Sequence, residues 1–349
     1  MTFINEKIRL RNNIFLITLL SFYACVYGRF FHFDDDEIKR EWAEILEKNK
    51  ENVPDDFPWE SPQKRIFQKK LFTVYLFSAG FAQGEAVYIE IIPKTPVENI
   101  EPEFHNREII LSEASWGYNG LFAIHPEHKP GKSQLKISYE KEGNLKETSV
   151  AFKVHDTEFP VSKTMIKLGR FSDVNELRKP EIQDFIKKCR KKNKIALSDS
   201  TDSMIDGEFS YPAQDYWITS AFWKKRIRYR YDKTRDNEVT PKVRNHKGLD
   251  IGGFPGDPIY ALADGRVVLA EKLYYEGKYT VIDHGNEIFS GYLHQKNILV
   301  EKGDEIEAGE KIGEIGLTGA STGAHLHVFL RINGVYADPL SLLPLPYRD

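Results

Sequence analysis

Hydrophobic residues recur along this chain with two different periods, and the periods divide it into segments. From about residue 65 to 156 they fall in short β-type runs: Leu71–Phe77, Ala86–Ile92, Glu108–Leu111, Gly120–Ile124, Gln134–Tyr139 and Thr148–Val154. Pro93, Pro126, Pro130-Gly131 and Gly143-Asn144 punctuate them. Short strands at this spacing predict a small antiparallel sandwich of immunoglobulin type. On both sides of it the period is helical. Residues 33–52 open with Asp34-Asp35-Asp36-Glu37 and continue with Ile38, Trp42, Ile45 and Leu46. Acidic residues in a first turn suit the helix dipole, so a short amphipathic helix is predicted. Its lack of a basic face favours packing on a neighbouring domain over a membrane surface. Val174 to Lys194 places Leu177, Ile182, Phe185, Ile186 and Cys189 at helical spacing, within a connection running from 157 to 208.

Beyond residue 209 the pattern is again β. In a strand, residues i and i+2 share a face. His325 and His327 therefore project together while Leu326 faces the core, and the apolar run Val328–Ile332 supports a strand there. His246 and Asp250 are four apart, a helical spacing. Gly248, Gly252 and Gly253 argue instead for a loop running into a strand.

These residues carry the candidate chemistry. Zinc favours histidine nitrogen and carboxylate oxygen, and a catalytic zinc takes three protein ligands and keeps a fourth position for water. His246, His294, His325, His327 and Asp250 exceed what one such site needs, so some must act as general acids or bases or in structural roles. Zinc lowers the pKa of bound water from 15.7 to about 7, and a nearby histidine can move a proton in that range. The glycine-rich stretch Thr318–Gly323 lacks a following Gly-Lys-Ser/Thr, so it reads as a tight turn aiming His325 rather than a phosphate loop. His284, before Gly285, reads as a structural strand end. The remaining histidines, His32, His105, His125, His128 and His155, read as surface residues.

Residues from about 209 to 344 resemble the lysostaphin-type (M23, LytM-like) zinc metallopeptidases. The resemblance is carried by His246-Lys247-Gly248-Leu249-Asp250, Ala263-Asp264-Gly265-Arg266-Val267, Val281-Ile282-Asp283-His284-Gly285, Gly291-Tyr292-Leu293-His294, Gly319 through His327, and Ala337-Asp338-Pro339. It implies one zinc per catalytic domain, with His246, Asp250 and His327 as metal ligands and His294 and His325 as the catalytic pair. It also implies an antiparallel β peptidase fold and peptidoglycan peptides, in cross-links or stems, as substrate. One departure stands upstream: Ser220-Ala221-Phe222-Trp223 has Trp223 where the family often has glycine, which bears on the cleft wall. Tyr292 suits either the cleft or the core. The Gln83-Gly84 turn ahead of Val87, Ile89 and Ile91 is similar to the accessory β-domain that precedes some M23 domains.

Composition narrows the setting. The 349 residues allow two domains with connections. A net charge of −3 carries no global signature for nucleic acid. The basic runs Lys187–Lys194 and Lys224–Arg230 read as a solvated helix face and a plain strand surface. Lys7, Arg9 and Arg11 precede the apolar run Ile14–Ala24, too short for a span of about 20 residues and fitting an export signal over residues 1–28. Either a cut before Arg29 removes it, or Cys25 becomes lipidated and supplies a membrane anchor. With only Cys25 and Cys189 in the chain, the processed protein has no internal disulfide, and Cys189 reads as a surface or half-buried thiol.

The chain is thus expected to be mainly β, with a signal at 1–28, a short helix at 33–52, an immunoglobulin-like accessory domain at 65–156, a helical linker at 157–208 and a peptidase domain at 209–344. The function expected is that of an exported zinc metalloendopeptidase of the periplasm or cell envelope. A non-hydrolytic module that binds peptidoglycan or activates an amidase is the alternative.

Overall fold

The computed structural model describes residues 44, 45, 47, 49–162, 168–198, 200–232 and 238–347. The expected signal, Cys25, His32 and the helix positions Ile38, Trp42 and Leu46 lie outside the described residues. The fold is mainly β and its sheets are antiparallel.

Strands Gln63–Gln68, Phe72–Ser78, Ala86–Pro93, Gly117–Ala123 and Ser112–Ala114 form one sheet in that order. A second runs Arg107–Glu108, Glu98–Phe104, Gly131–Lys141, Asn144–Val154. Val74, Leu76, Ile89, Ile91, Leu135, Ile137 and Phe152 fill the space between them. Gly131–Lys141 alternates buried and exposed positions, as a half-solvated strand should. Phe72–Ser78 does not: all seven residues are buried. Its second face, with Tyr75 and Phe77, packs beside Tyr88 into a core shared with Leu330, Ile332 and Tyr347, and Tyr88 and Tyr347 lie 5.0 Å apart by ring centroids. Strands Gln63–Gln68 and Glu98–Phe104 escaped the hydrophobic pattern. The latter buries only Ile100, Pro102 and Phe104 between glutamates and carries a register shift between Glu98 and Glu101; a strand that contains proline is hard to read from its pattern.

The large sheet of the carboxyl-terminal part runs Ile218–Ser220, Leu249–Gly252, His325–Ile332, Ile288–Gln295, Gly277–Asp283, Gly265–Leu273, Glu305–Ile306. Leu326, Val328, Leu330 and Ile332 face the shared core. The opposite face carries His325 and His327 at one end and Phe329, Tyr279, Val281 and Leu269 at the other.

Helices Val174–Arg178 and Pro180–Ala196 cover that second face, with Leu177, Ile186 and Cys189 buried against it. The sequence pattern suggested one helix over Val174–Lys194. Proline at 180 excludes the helical conformation at the residue before it, and Lys179 is extended at φ −58°, ψ 131°. Cys189 is buried rather than superficial, and desolvation raises its thiol pKa.

Residues 44, 45, 47 and 49–51 are helical. Asn49 donates through Nδ2 to Leu343 O (3.3 Å) and Leu345 O (3.0 Å), and its Oδ1 accepts from Phe209 N at 2.9 Å. This segment therefore packs on the protein, against its carboxyl-terminal residues. Among the described residues no helix is long and apolar enough to cross a membrane.

Candidate metal centre

The central strand His325–Ile332 pairs with Leu249–Gly252 so that Asp250 lies opposite His327 and Gly252 opposite His325. Directly opposed residues share a face, and this pairing brings the carboxylate to the two histidines. His246 comes from the loop just before. Its N–H donates to Lys224 O at 3.0 Å, and its carbonyl accepts from Trp223 N at 2.7 Å. Gly248 lets the loop pass under the imidazole of His327: a Cβ there would stand 2.4 Å from Val328 O and 2.7 Å from His327 Nε2.

His294 arrives differently. On Ile288–Gln295, Leu293 is the residue opposite His327, so strict alternation would send His294 to the other side. His294 instead has φ +64°, and the pairing with Gly277–Asp283 shifts register between Lys278 and Thr280. The left-handed residue beside the irregularity re-aims the side chain. Its ring sits 4.9 Å from that of His325 and 6.1 Å from that of His327.

Three ligand-type atoms converge. His246 Nε2 is 2.9 Å from His327 Nδ1 and 3.0 Å from Asp250 Oδ1, and His327 Nδ1 is 2.8 Å from the same oxygen. Asp250 Oδ2 accepts a charged hydrogen bond from Arg226 Nη2. His325 Nε2 stands 3.6 Å from Asp250 Oδ1.

Backbone carbonyls set the tautomers. Nδ1 of His246 faces Ala221 O (2.9 Å), that of His294 faces Thr318 O (2.8 Å), and that of His325 faces Gly323 O (2.9 Å). A carbonyl only accepts, so Nδ1 of His294 and of His325 carries the proton and their Nε2 presents a lone pair, whereas Nδ1 of His246 also lies 3.1 Å from the donor Arg226 Nη2. The glycine-rich turn thus supplies two of the three carbonyls. Thr318 Oγ1 braces it, donating to Gln295 O at 2.8 Å and accepting from Lys278 N at 2.9 Å.

Burial pushes His246 down to about 4, helped by the neighbouring His327. Burial likewise pushes His294 down to about 3, with His327 and His325 adding to it. Desolvation pulls the Asp250 carboxyl upward, but hydrogen bonds with His246 and His327 outweigh it and hold the group well below the ordinary carboxylate range. At neutral pH the cluster is therefore two neutral, buried histidines around an ionised aspartate.

These donors suit a small cation. His246 Nε2, His327 Nδ1 and Asp250 Oδ1 lie within 3.0 Å of one another and share one carboxylate charge. Donor separations of 2.8–3.0 Å are slightly tighter than the roughly 3.3 Å edge of a tetrahedral zinc shell with nitrogen and oxygen ligands.

Other positions differ from their sequence reading. The run Lys224–Arg230 is not merely surface, since Arg226 turns inward onto Asp250. Trp223 does not form the cleft wall. It is buried against His125 (6.0 Å), Phe159 (6.5 Å) and Phe222 (5.7 Å), on the side of the sandwich. Tyr292 is a core residue whose hydroxyl accepts from Leu262 N at 2.8 Å. His284 is buried, with Nδ1 2.6 Å from Asp264 O and Nε2 2.8 Å from Ser290 Oγ. His125 and His128 are half-buried rather than superficial, and desolvation lowers both. No sequence signal set Arg226 apart from its basic neighbours.

A β-sheet that gathers histidines and one aspartate at a strand end defines a class of site, and known proteins share parts of it. Residues 244–339 match the model of peptidase family M23. It is 40% identical over 133 residues to the peptidoglycan DD-endopeptidase ShyA of Vibrio cholerae, covering 38% of this chain and 29% of ShyA. It is 41% identical over 100 residues to the murein hydrolase activator NlpD of Escherichia coli, covering 28% of this chain and 26% of NlpD. The chain thus spans less than a third of either relative. A crystal structure of an M23 peptidase from Pseudomonas aeruginosa shares the fold at TM-score 0.50 and 20% identity, over 72% of this chain and 89% of that one.

Proposed function

We propose that this chain is an exported zinc metalloendopeptidase that hydrolyses peptide bonds in peptidoglycan cross-links or stems. The observation that carries the reading is the convergence of His246 Nε2, Asp250 Oδ1 and His327 Nδ1, with the Nε2 lone pairs of His294 and His325 beside them. The three converging residues would hold one zinc ion. Zinc in such a setting lowers the pKa of a coordinated water to about 7 and polarises a carbonyl.

The remaining work falls to the protein's own groups. His294, kept neutral by burial, and His325 present Nε2 as proton acceptors, their rings fixed by Thr318 O and Gly323 O. One takes a proton from the attacking water and returns it to the departing amine. The other, when it has taken a proton from solvent at Nε2 before the attack, donates a hydrogen bond from it to the oxygen that gains charge as the carbonyl becomes tetrahedral, and keeps that proton through the cycle. Fixed rings need no reorganisation at the moment of reaction.

In this reading, residues 1–28 direct export, with removal before Arg29 or lipidation at Cys25, and the protein works in the periplasm or cell envelope. Residues 65–156 form the accessory domain, 157–208 the linker and 209–344 the peptidase domain. The similarity to ShyA supports a peptidoglycan substrate.

The test is a digest of purified peptidoglycan by the purified chain, with and without a zinc chelator, followed by mass spectrometry of released fragments. Chelator-sensitive release with new peptide termini is expected, and the termini name the bond. No release by a zinc-loaded chain would instead favour the amidase-activating reading.

A further inference from the structure

The two oxygens of Asp250 do different things. Oδ1 faces His246 and His327, while Oδ2 is taken by Arg226 Nη2. Both side chains are largely buried, at 12% exposure for Arg226 and 10% for Asp250. The same Nη2 lies 3.1 Å from His246 Nδ1. Arg226 is itself held on two sides. Its strand pairs it with Arg244. The preceding residue, Lys225, bonds to the 160–162 segment through Pro160 O (2.9 Å) and Ser162 N (2.8 Å). At the far end of the hairpin, Tyr231 N donates to Ser172 O at 3.1 Å and Asp232 pairs with Arg178 at 3.3 Å. The helical segment thus anchors the strand that brings Arg226 to the centre.

We propose that Arg226 is a positioning residue of the metal centre. It occupies Oδ2 so that Asp250 presents a single oxygen to the ion, and it orients that oxygen toward His246 and His327. This rests on the zinc reading above. The physical reasons are two. A carboxylate with one oxygen engaged by a guanidinium cannot chelate through both. A buried carboxylate with its outer oxygen fixed has fewer orientations to give up on binding metal, which is how partners of metal ligands contribute affinity.

A purely structural ion pair would also destabilise the fold when broken, so the readouts are metal affinity and metal geometry. The full chain and its Arg226→Gln and Arg226→Lys variants are loaded with zinc against a chromophoric chelator, and separately with cobalt(II) for visible absorption. Loss of the guanidinium in Arg226→Gln should raise the zinc dissociation constant about 10–100-fold. It should also weaken and shift the cobalt bands, as a freed Oδ2 raises the coordination number. Arg226→Lys, which keeps the charge without the planar fork, should fall between wild type and Arg226→Gln. It carries the test alone if Arg226→Gln fails to fold. Unchanged zinc affinity and an unchanged cobalt spectrum in the folded variants would overturn the role of Arg226 and leave the zinc reading standing. Failure of the wild-type chain to bind zinc would overturn both.

Discussion

Trp223 and His246 are joined by a 2.7 Å hydrogen bond from the tryptophan N–H to the histidine carbonyl, and Trp223 makes it with φ at +54°. That left-handed conformation is the one glycine adopts without steric cost, which explains why glycine suits this position in the resembled motif. Here a tryptophan bears the strain, and its ring is buried toward the sandwich rather than the cleft.

Trp223→Gly sets two effects against each other. Relief of the left-handed conformation favours the variant by about 1–2 kcal/mol. Loss of a buried tryptophan's packing costs about 3–5 kcal/mol by analogy with tryptophan-to-alanine truncations. Packing wins, so urea unfolding should show net destabilisation of a few kcal/mol. A more stable variant would show that the ring contributes little to the contact between the two parts.

Ligands and proton carriers should separate on mutation. His246→Ala and Asp250→Ala should lose bound zinc and turnover together, because each removes one of three converging donors. His294→Ala should keep its zinc and lose turnover by about 100-fold or more. Metal content by atomic emission, read beside fragment release, decides it: zinc lost from His294→Ala but kept by His246→Ala would reverse the assignment.

The metal-free chain should lose stability on acidification. His246 and His294 are depressed to about 4 and about 3 in the fold, against an unfolded value near 6.5. Below 6.5 the unfolded chain binds protons that the folded one refuses, so stability rises with pH across the window and falls as pH drops from 6.5 toward 3–4. Melting temperatures recorded from pH 7 to pH 4 in chelator should decline, and less steeply in His294→Gln. A flat profile would mean that the two rings are not held neutral by burial.

Gly248→Ala tests the close approach under His327. The new methyl would meet backbone oxygen Val328 O at 2.4 Å, which flexible side chains cannot relieve. A cost of about 1–3 kcal/mol is expected, with zinc affinity lowered because Asp250 and His327 are forced apart. Wild-type melting temperature and zinc affinity would show that the loop has room to shift.

Parts of the centre were legible in the chain for a simple reason. His325 and His327 differ by two, and a strand of alternating pattern puts them on one face whatever lies around them. Asp250 lies within a short buried run and needs only one antiparallel neighbour to stand beside His327. The break at Pro180 was also local, though the helical period obscured it. His294 was not legible as a geometry: alternation sends it to the far side of the sheet, and only the register shift and its positive φ bring it back. Arg226 looked like its basic neighbours, because what distinguishes it is a carboxylate 24 positions away in the chain. Phe72–Ser78 was legible as a strand but not as a doubly buried one.

Strand and helix periods, turn residues and the spacing of His246, Asp250, His325 and His327 are properties of neighbouring residues, so the sequence by itself determined the β character and offered a surplus of candidate donors. Tertiary structure alone decided which oxygen of Asp250 faces the histidines, which nitrogen each ring presents, where Trp223 goes and what Arg226 does. Those choices depend on carbonyls, charges and packed surfaces contributed by distant segments, and pairing across a sheet leaves no period in the chain that supplies them.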